Sequence, residues 1–291
     1  MSFAGTHTAL VTPFRDGKFD EAAFRSLVEE QIAGRITGIV PVGTTGESPT
    51  LDHSEHNAVI RAAVEAAAGR CLVIAGTGSN ATSEAIALTA EAERLGADAA
   101  LLVAPYYNKP SQEGLYRHFR AIAGSVKIPI ILYSIPGRCG IEIGVETVAR
   151  LAADCPNIQA IKEAGGSVER VNQLRAVLPP DFEILSGDDS LTIPFLSVGA
   201  VGVISVASNL LPAEVASMVS LWLSGDTAGA LAIHARLYPL FKDLFIEPNP
   251  VPAKFALSLQ NKMSPEVRLP LCEMSPANQS RLRQTLGSLG L

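Results

Sequence analysis

Short apolar runs alternate along the chain with longer segments in which apolar residues recur at helical spacing. The runs fall at Thr8–Val11, Gly38–Val42, Leu72–Ala75, Ala99–Ala104, Ile128–Tyr133, Ile158–Ile161, Phe182–Leu185 and Val201–Val206. Runs this short, closed by glycine, proline or small polar residues, predict buried strands. The segments between them, such as Asp20–Ala33, Ser54–Ala68 and Ser83–Leu95, predict helices; in the last, Ala85, Leu88 and Ala92 share one face. Eight strands, most followed by a helix, predict the α/β class and a closed parallel (β/α)8 TIM barrel. An open doubly wound sheet has the same rhythm, but Gly76-Thr-Gly-Ser-Asn80 lacks the third glycine of a dinucleotide fingerprint. Beyond the eighth run, Ala213–Ser224, Ala228–Leu244 and Ala277–Leu289 read as helix. The prolines of Glu247-Pro-Asn-Pro-Val-Pro252 predict a turn or an extended stretch. The expected organisation is a catalytic barrel over residues 1–225 and a helical C-terminal domain over 226–291.

Composition narrows the function classes. Of 291 residues, 47% are apolar and 18% charged, which describes a globular chain and excludes a disordered one. The net charge of −6, without any Lys/Arg-rich block, argues against nucleic acid as a partner. Cys71, Cys139, Cys155 and Cys272 form no CxxC pair, so neither a zinc ribbon nor a thioredoxin-type site is indicated. Their scatter fits reduced thiols in a cytoplasmic protein. The N-terminus has no basic stretch followed by an apolar one, and no apolar run approaches membrane-spanning length.

A (β/α)8 barrel carries its active site at the C-terminal ends of its strands, and four of the predicted ends bear chemistry. The second closes on Gly43-Thr-Thr-Gly-Glu47, whose hydroxyls and backbone N–H groups suit a carboxylate, although a plain turn has the same composition. The fourth closes on Tyr106-Tyr107, two of the five tyrosines, which also fit simple packing. The fifth closes on Tyr133, with Arg138 beyond a Pro-Gly turn: a phenol for proton transfer and a guanidinium for a carboxylate, or a solvated loop charge. The sixth closes on Lys162. A lysine there either snorkels to solvent or, turned into the barrel mouth, becomes a neutral amine nucleophile. Together the four make one coherent device, an amine that condenses with a 2-oxo acid, a proton relay and carboxylate binders.

Gly43-Thr-Thr-Gly-Glu47, Pro105-Tyr-Tyr-Asn-Lys-Pro-Ser-Gln-Glu-Gly114, Tyr133-Ser-Ile-Pro-Gly-Arg138, Ile161-Lys-Glu163 and Ser186-Gly-Asp-Asp189 resemble the dihydrodipicolinate synthase family of Schiff-base-forming, pyruvate-dependent lyases and aldolases. The resemblance runs from Val11-Thr-Pro13 to Glu247-Pro-Asn-Pro-Val-Pro252. It implies condensation of pyruvate with L-aspartate 4-semialdehyde in diaminopimelate and lysine biosynthesis, usually by a homotetramer, a dimer of dimers, with no metal or organic cofactor. It makes Lys162 the nucleophile and Tyr133 the proton donor and acceptor. Thr45 would bridge Tyr133 to Tyr107, which reaches in from a neighbouring subunit. Thr44 and Thr45 would hold the pyruvate carboxylate and Arg138 that of the semialdehyde, with backbone groups of Gly187 and Ile204 near the nucleophile. Ser48, His53, His56, Asn80, Glu84 and Tyr106 match positions lining a feedback site for L-lysine. Ser134, the Gly137-Arg-Cys139 stretch and Pro49 depart from the common pattern, and Pro49 adds bulk beside that feedback site.

Two enzyme alternatives share the lysine and tyrosine: N-acetylneuraminate lyase and the 2-keto-3-deoxy sugar acid aldolases. Arg138 and the Thr44-Thr45 pair favour the synthase. A catalytically silent ligand-binding barrel would be signalled by loss of Lys162 or Tyr133, and both are present. His53 and His56, three apart near a helix start, lack a further clear ligand for a metal.

Overall fold

The computed structural model describes residues 1–291. Eight parallel strands close into a barrel: β1 Gly5–Ala9, β2 Gly38–Val40, β3 Leu72–Gly76, β4 Ala99–Val103, β5 Ile130–Ser134, β6 Ile158–Glu163, β7 Glu183–Ser186 and β8 Gly202–Ser205. Each pairs with its neighbours in sequence, and β8 returns to β1 with Thr6 opposite Val203 and Thr8 opposite Ser205. Buried on both faces, most of these strands need no polar alternation and read as short apolar runs; β1, Gly-Thr-His-Thr-Ala, is the exception. A two-stranded hairpin, Phe14–Arg15 with Lys18–Phe19, precedes the first helix. No helix is long and apolar enough to cross a membrane.

Several helices begin where a side chain satisfies one of their first N–H groups. Asp20 caps Glu21–Ala33, and Ser111 caps Gln112–Ala123. Asp52 and Glu55 form a reciprocal capping box at the start of His53–Ala67. The expected helix face at 85, 88 and 92 is modified. Ala85, Thr89 and Ala92 are buried, and Thr89 is accommodated because its hydroxyl bonds the Ala85 carbonyl and meets that of Thr77.

Helices Pro212–Leu223, Thr227–Asp243, Val251–Leu259 and Pro276–Ser288 follow the last strand. The expected turn holds over Glu247–Pro250, and only the end of the proline-rich stretch differs, entering the helix Val251–Leu259. Pro252 opens a helix there, because a proline in the first turn gives up an N–H that has no intrahelical acceptor anyway. The apolar interior has two parts. One lies between the β4–β7 side and its helices, with Leu115, Phe119, Leu151, Leu174 and Phe195. The other runs from Leu27 and Ile60 beside the first strands into Leu237, Phe241, Leu257 and Leu282 of the C-terminal helices. The chain beyond the barrel thus packs on the side that carries the Gly43–Glu47 turn.

Candidate active site

Lys162 is the fifth residue of β6 and only 6% exposed. It pairs in register with Tyr133 of β5, so both side chains leave their strands at the same level. Its Nζ lies 4.3 Å from the centre of the Tyr133 ring. On the other side the chain turns at Gly187. A Cβ there would come within 3.1 Å of Lys162 Cε and 2.6 Å of the Ala164 methyl, so only glycine leaves the lysine its channel.

Burial pushes the Lys162 pKa down to about 7. The Asp189 charge opposes the shift and the Arg138 charge adds to it. Asp189 is itself buried, and its Oδ2 accepts from the backbone N–H groups of Val206 and Ala207 at 3.0 Å. Near neutrality a substantial share of Lys162 is therefore the free amine. Tyr133 is pushed up to about 12 by burial, against a lowering hydrogen bond with Thr44. At neutral pH it is a phenol able to donate and to recover a proton.

A cavity of about 230 Å³ opens in front of Tyr133, walled by Val42, Gly43, Thr44, Tyr106, Ile135, Arg138 and Cys139 among others. Lys162 is not part of this wall and meets the site through the Tyr133 ring. The turn at 43–48 is closed by hydrogen bonds from Gly46 and Ser48 to the Gly43 carbonyl and from Glu47 to that of Thr44. The N–H groups of Thr44 and Thr45 donate to no carbonyl of the chain, as an anion seat requires.

The two threonines divide their work differently from the expectation. Thr45 is 3% exposed, and its hydroxyl accepts from Asn249 Nδ2 at 2.9 Å. The hydroxyl that meets Tyr133 belongs to Thr44. Thr44 lines the cavity and Thr45 does not, so within one chain Thr44 stands nearer than Thr45 to the relay role expected beside Tyr133. Tyr107 is 90% exposed, with its backbone in the left-handed region, and lies outside its own chain's cavity. Arg138 stands at the mouth on a single helical turn, and its guanidinium donates to the Asn249 carbonyl at 3.5 Å. Ile204 is buried on β8, one position beyond the Val203 that pairs with Ser186. Asn249 was missed by the sequence reading. Its only signal was a polar side chain between two prolines in a stretch read as a helix breaker.

A second cavity, about 140 Å³, is lined by Ser48, His53, His56, Glu84 and Tyr106, with Pro49, Ser79 and Leu88 among their neighbours. Asn80 stays outside its wall and donates to the Tyr106 carbonyl at 3.2 Å. Glu84 bonds Ser79 and pairs with His53 at 2.8 Å, which hold its carboxyl below the usual range. Burial pushes His56 down, and its Nε2 meets the Gly76 carbonyl at 2.9 Å. Ser48, Pro49, Gly76, Gly78 and Tyr106 wall both cavities.

Comparison with known proteins agrees over the full chain. A 4-hydroxy-tetrahydrodipicolinate synthase of Nitratidesulfovibrio vulgaris (strain DP4) is 51% identical over 291 residues, the whole of both chains. The structure of the 4-hydroxy-tetrahydrodipicolinate synthase from Methylacidiphilum fumariolicum SolV superposes with a TM-score of 0.98 at 56% identity, covering 99% of this chain and 96% of that one. A dihydrodipicolinate synthase from Cyanidioschyzon merolae, solved with lysine bound, gives 0.97 at 44% identity over 99% of both chains. A match to the Dihydrodipicolinate synthetase family spans residues 2–289, and the chain belongs to that family.

Proposed function

We propose that the protein is a lyase that condenses pyruvate with L-aspartate 4-semialdehyde to 4-hydroxy-tetrahydrodipicolinate. The observation that carries this reading is Lys162, a buried amine drawn down to about 7 against the ring of Tyr133. The neutral amine adds to C2 of pyruvate, and loss of water gives the imine. Removal of a methyl proton converts it to the enamine, which adds to the aldehyde carbon of the semialdehyde. The semialdehyde amine then attacks the imine carbon, closes the ring and releases Lys162 as the free amine.

Each transfer moves a proton next to the amine, where Tyr133 and Thr44 stand. The free N–H groups of Thr44 and Thr45 suit the pyruvate carboxylate, and Arg138 at the mouth suits that of the semialdehyde. An exposed Tyr107 suits a homotetramer in which it completes the relay of a neighbouring copy, and the closeness of Gly187 to the Lys162 side chain supports a backbone role beside the nucleophile, to which Ile204 is also assigned. The second cavity is the proposed seat of L-lysine as a feedback inhibitor. Its Glu84 carboxylate suits an ammonium, and one relative's structure carries lysine.

Turnover is tested with pyruvate and L-aspartate 4-semialdehyde beside N-acetylneuraminate and keto-deoxy sugar acids. Consumption of the first pair alone is expected. Preferential cleavage of a sugar acid would overturn the reading in favour of a sister aldolase. L-Lysine should inhibit the same assay, and Glu84→Thr should abolish that response.

A further inference from the structure

The turn that offers Thr44 and Thr45 is bracketed by two residues in the left-handed region, Val42 at φ 50° and Glu47 at φ 54°. A β-branched residue and a glutamate do not adopt that conformation unaided, so the surroundings must impose it. At the Val42 end the constraint is close backbone packing. A Cβ on Gly46 would lie 2.9 Å from Val42 N, and the Gly46 carbonyl accepts from the Thr12 hydroxyl at 2.7 Å.

At the Glu47 end the constraint comes from the far end of the chain. Glu47 is fully buried, and its Oε1 accepts from Lys254 Nζ at 2.5 Å. Its Oε2 accepts from the backbone N–H of Arg268 at 3.0 Å. Lys254 is also fully buried, on the helix Val251–Leu259. Lys254 Nζ and the Arg268 guanidinium each lie 4.2 Å from the Phe14 ring centre. Arg268 fastens the other side, donating to the carbonyls of Gly17 and Thr50 and, with both terminal nitrogens, to Glu55. Asn249, just before the same helix, holds the Thr45 hydroxyl.

None of these groups lines the cavity. A buried ion pair is a weak source of stability but a geometrically exacting one. Here it joins the strained end of the substrate turn to a helix more than two hundred positions away in sequence.

We infer that Lys254 and Glu47 are positioning residues: the C-terminal segment 249–268 is a strut that sets the conformation of the Thr44–Thr45 turn and so determines how tightly the pyruvate carboxylate is held. The inference rests on the reading of that turn as the pyruvate seat.

The test measures half-saturation by pyruvate in borohydride trapping and the KM of each substrate in turnover. The variants are Lys254→Met, the volume-conserving double variant Glu47→Gln/Lys254→Met, and Thr44→Val. The single variant strands a buried carboxylate and can fail to fold; the double variant removes both charges together and keeps the question open to measurement. A displaced turn should raise pyruvate half-saturation in the folded double variant roughly tenfold or more. The semialdehyde KM, assigned to Arg138, which touches the strut only through a long 3.5 Å bond to the Asn249 carbonyl, should rise several-fold less than pyruvate half-saturation, a split that general loosening of the fold would not produce. A folded double variant with unchanged pyruvate half-saturation, while Thr44→Val raises it, overturns the strut alone. Unchanged half-saturation in Thr44→Val as well overturns the assignment of the turn as the pyruvate seat.

Discussion

Lys162 and Lys254 are the two lysines this chain buries, and their surroundings are opposite. Lys254 faces a buried carboxylate at 2.5 Å and the Phe14 ring. Burial draws its pKa down and Glu47 opposes the fall, so the ammonium is held as one half of an ion pair. Lys162 has an aromatic face where Lys254 has a carboxylate. The negative charge that opposes its pKa shift, Asp189, is already engaged with two backbone N–H groups. Burial alone therefore does not make a lysine nucleophilic. Burial without a dedicated counter-charge favours the free amine, which supports the proposed roles of Lys162 as reagent and Lys254 as anchor.

The sharpest way to break this contrast is to make the same substitution at both positions. Lys162→Met should lower turnover by roughly 10³–10⁶-fold, the scale seen when a covalent nucleophile is removed, with the fold intact by circular dichroism. Lys254→Met should keep the kcat of its folded fraction at saturating pyruvate, its defect showing in the pyruvate requirement instead. Tyr133→Phe, which keeps the ring beside Lys162 and removes only the phenol, should lower turnover by about 10²–10⁴-fold. A loss as small as twofold would show that the proton moves by another route.

Stability should respond with opposite signs. Lys254→Met leaves Glu47 buried and unpaired and should cost about 3–5 kcal/mol in denaturant unfolding. Lys162→Met removes an amine whose folded pKa, about 7, lies below the ordinary lysine value of 10.5. Between those values the unfolded chain binds more protons than the folded one, so the burden of burying Lys162 is nearly full at pH 7 and shrinks as pH rises toward 10.5. The Met variant should be roughly 2–4 kcal/mol more stable than the wild type at pH 7, with the gap closing above pH 9. Equal and parallel destabilisation by both substitutions would erase the distinction.

The smallest expected effect is on the pH profile. Only free amine attacks, so kcat/KM for pyruvate should fall about tenfold per pH unit below 7 and level off above it. A profile flat down to pH 5 would mean that Lys162 does not titrate where its burial places it.

The contrast also shows what the sequence makes legible. Lys162 stands out because it ends an apolar run whose strand identity is plain, and barrel geometry makes a strand end meaningful. Lys254, in Val-Pro-Ala-Lys-Phe-Ala-Leu, reads like any lysine on an apolar helix, since nothing local announces a carboxylate 207 positions earlier. The choice between Thr44 and Thr45 was equally hidden: adjacent residues of one type differ only in the direction the turn gives them. Strand β1 was read late, at Thr8–Val11 rather than Gly5–Ala9. Its first half carries Thr6, His7 and Thr8, polar residues whose burial depends on partners elsewhere. Thr8 bonds Gln31 at 2.6 Å, and His7 meets the Phe3 carbonyl at 2.8 Å. Apolar patterning reports burial by water exclusion and is silent about polar groups buried in satisfied pairs.

Borohydride reduction of the enzyme with pyruvate, followed by peptide mass mapping, tests the central claim most directly. Reduction turns a reversible imine into a stable secondary amine, so the map names the nucleophile without relying on rates. A single reduced pyruvyl group on Lys162, dependent on pyruvate and with Lys254 unmodified, is the predicted result. An adduct on another lysine, such as Lys109 or Lys127, with Lys162 untouched would contradict the account.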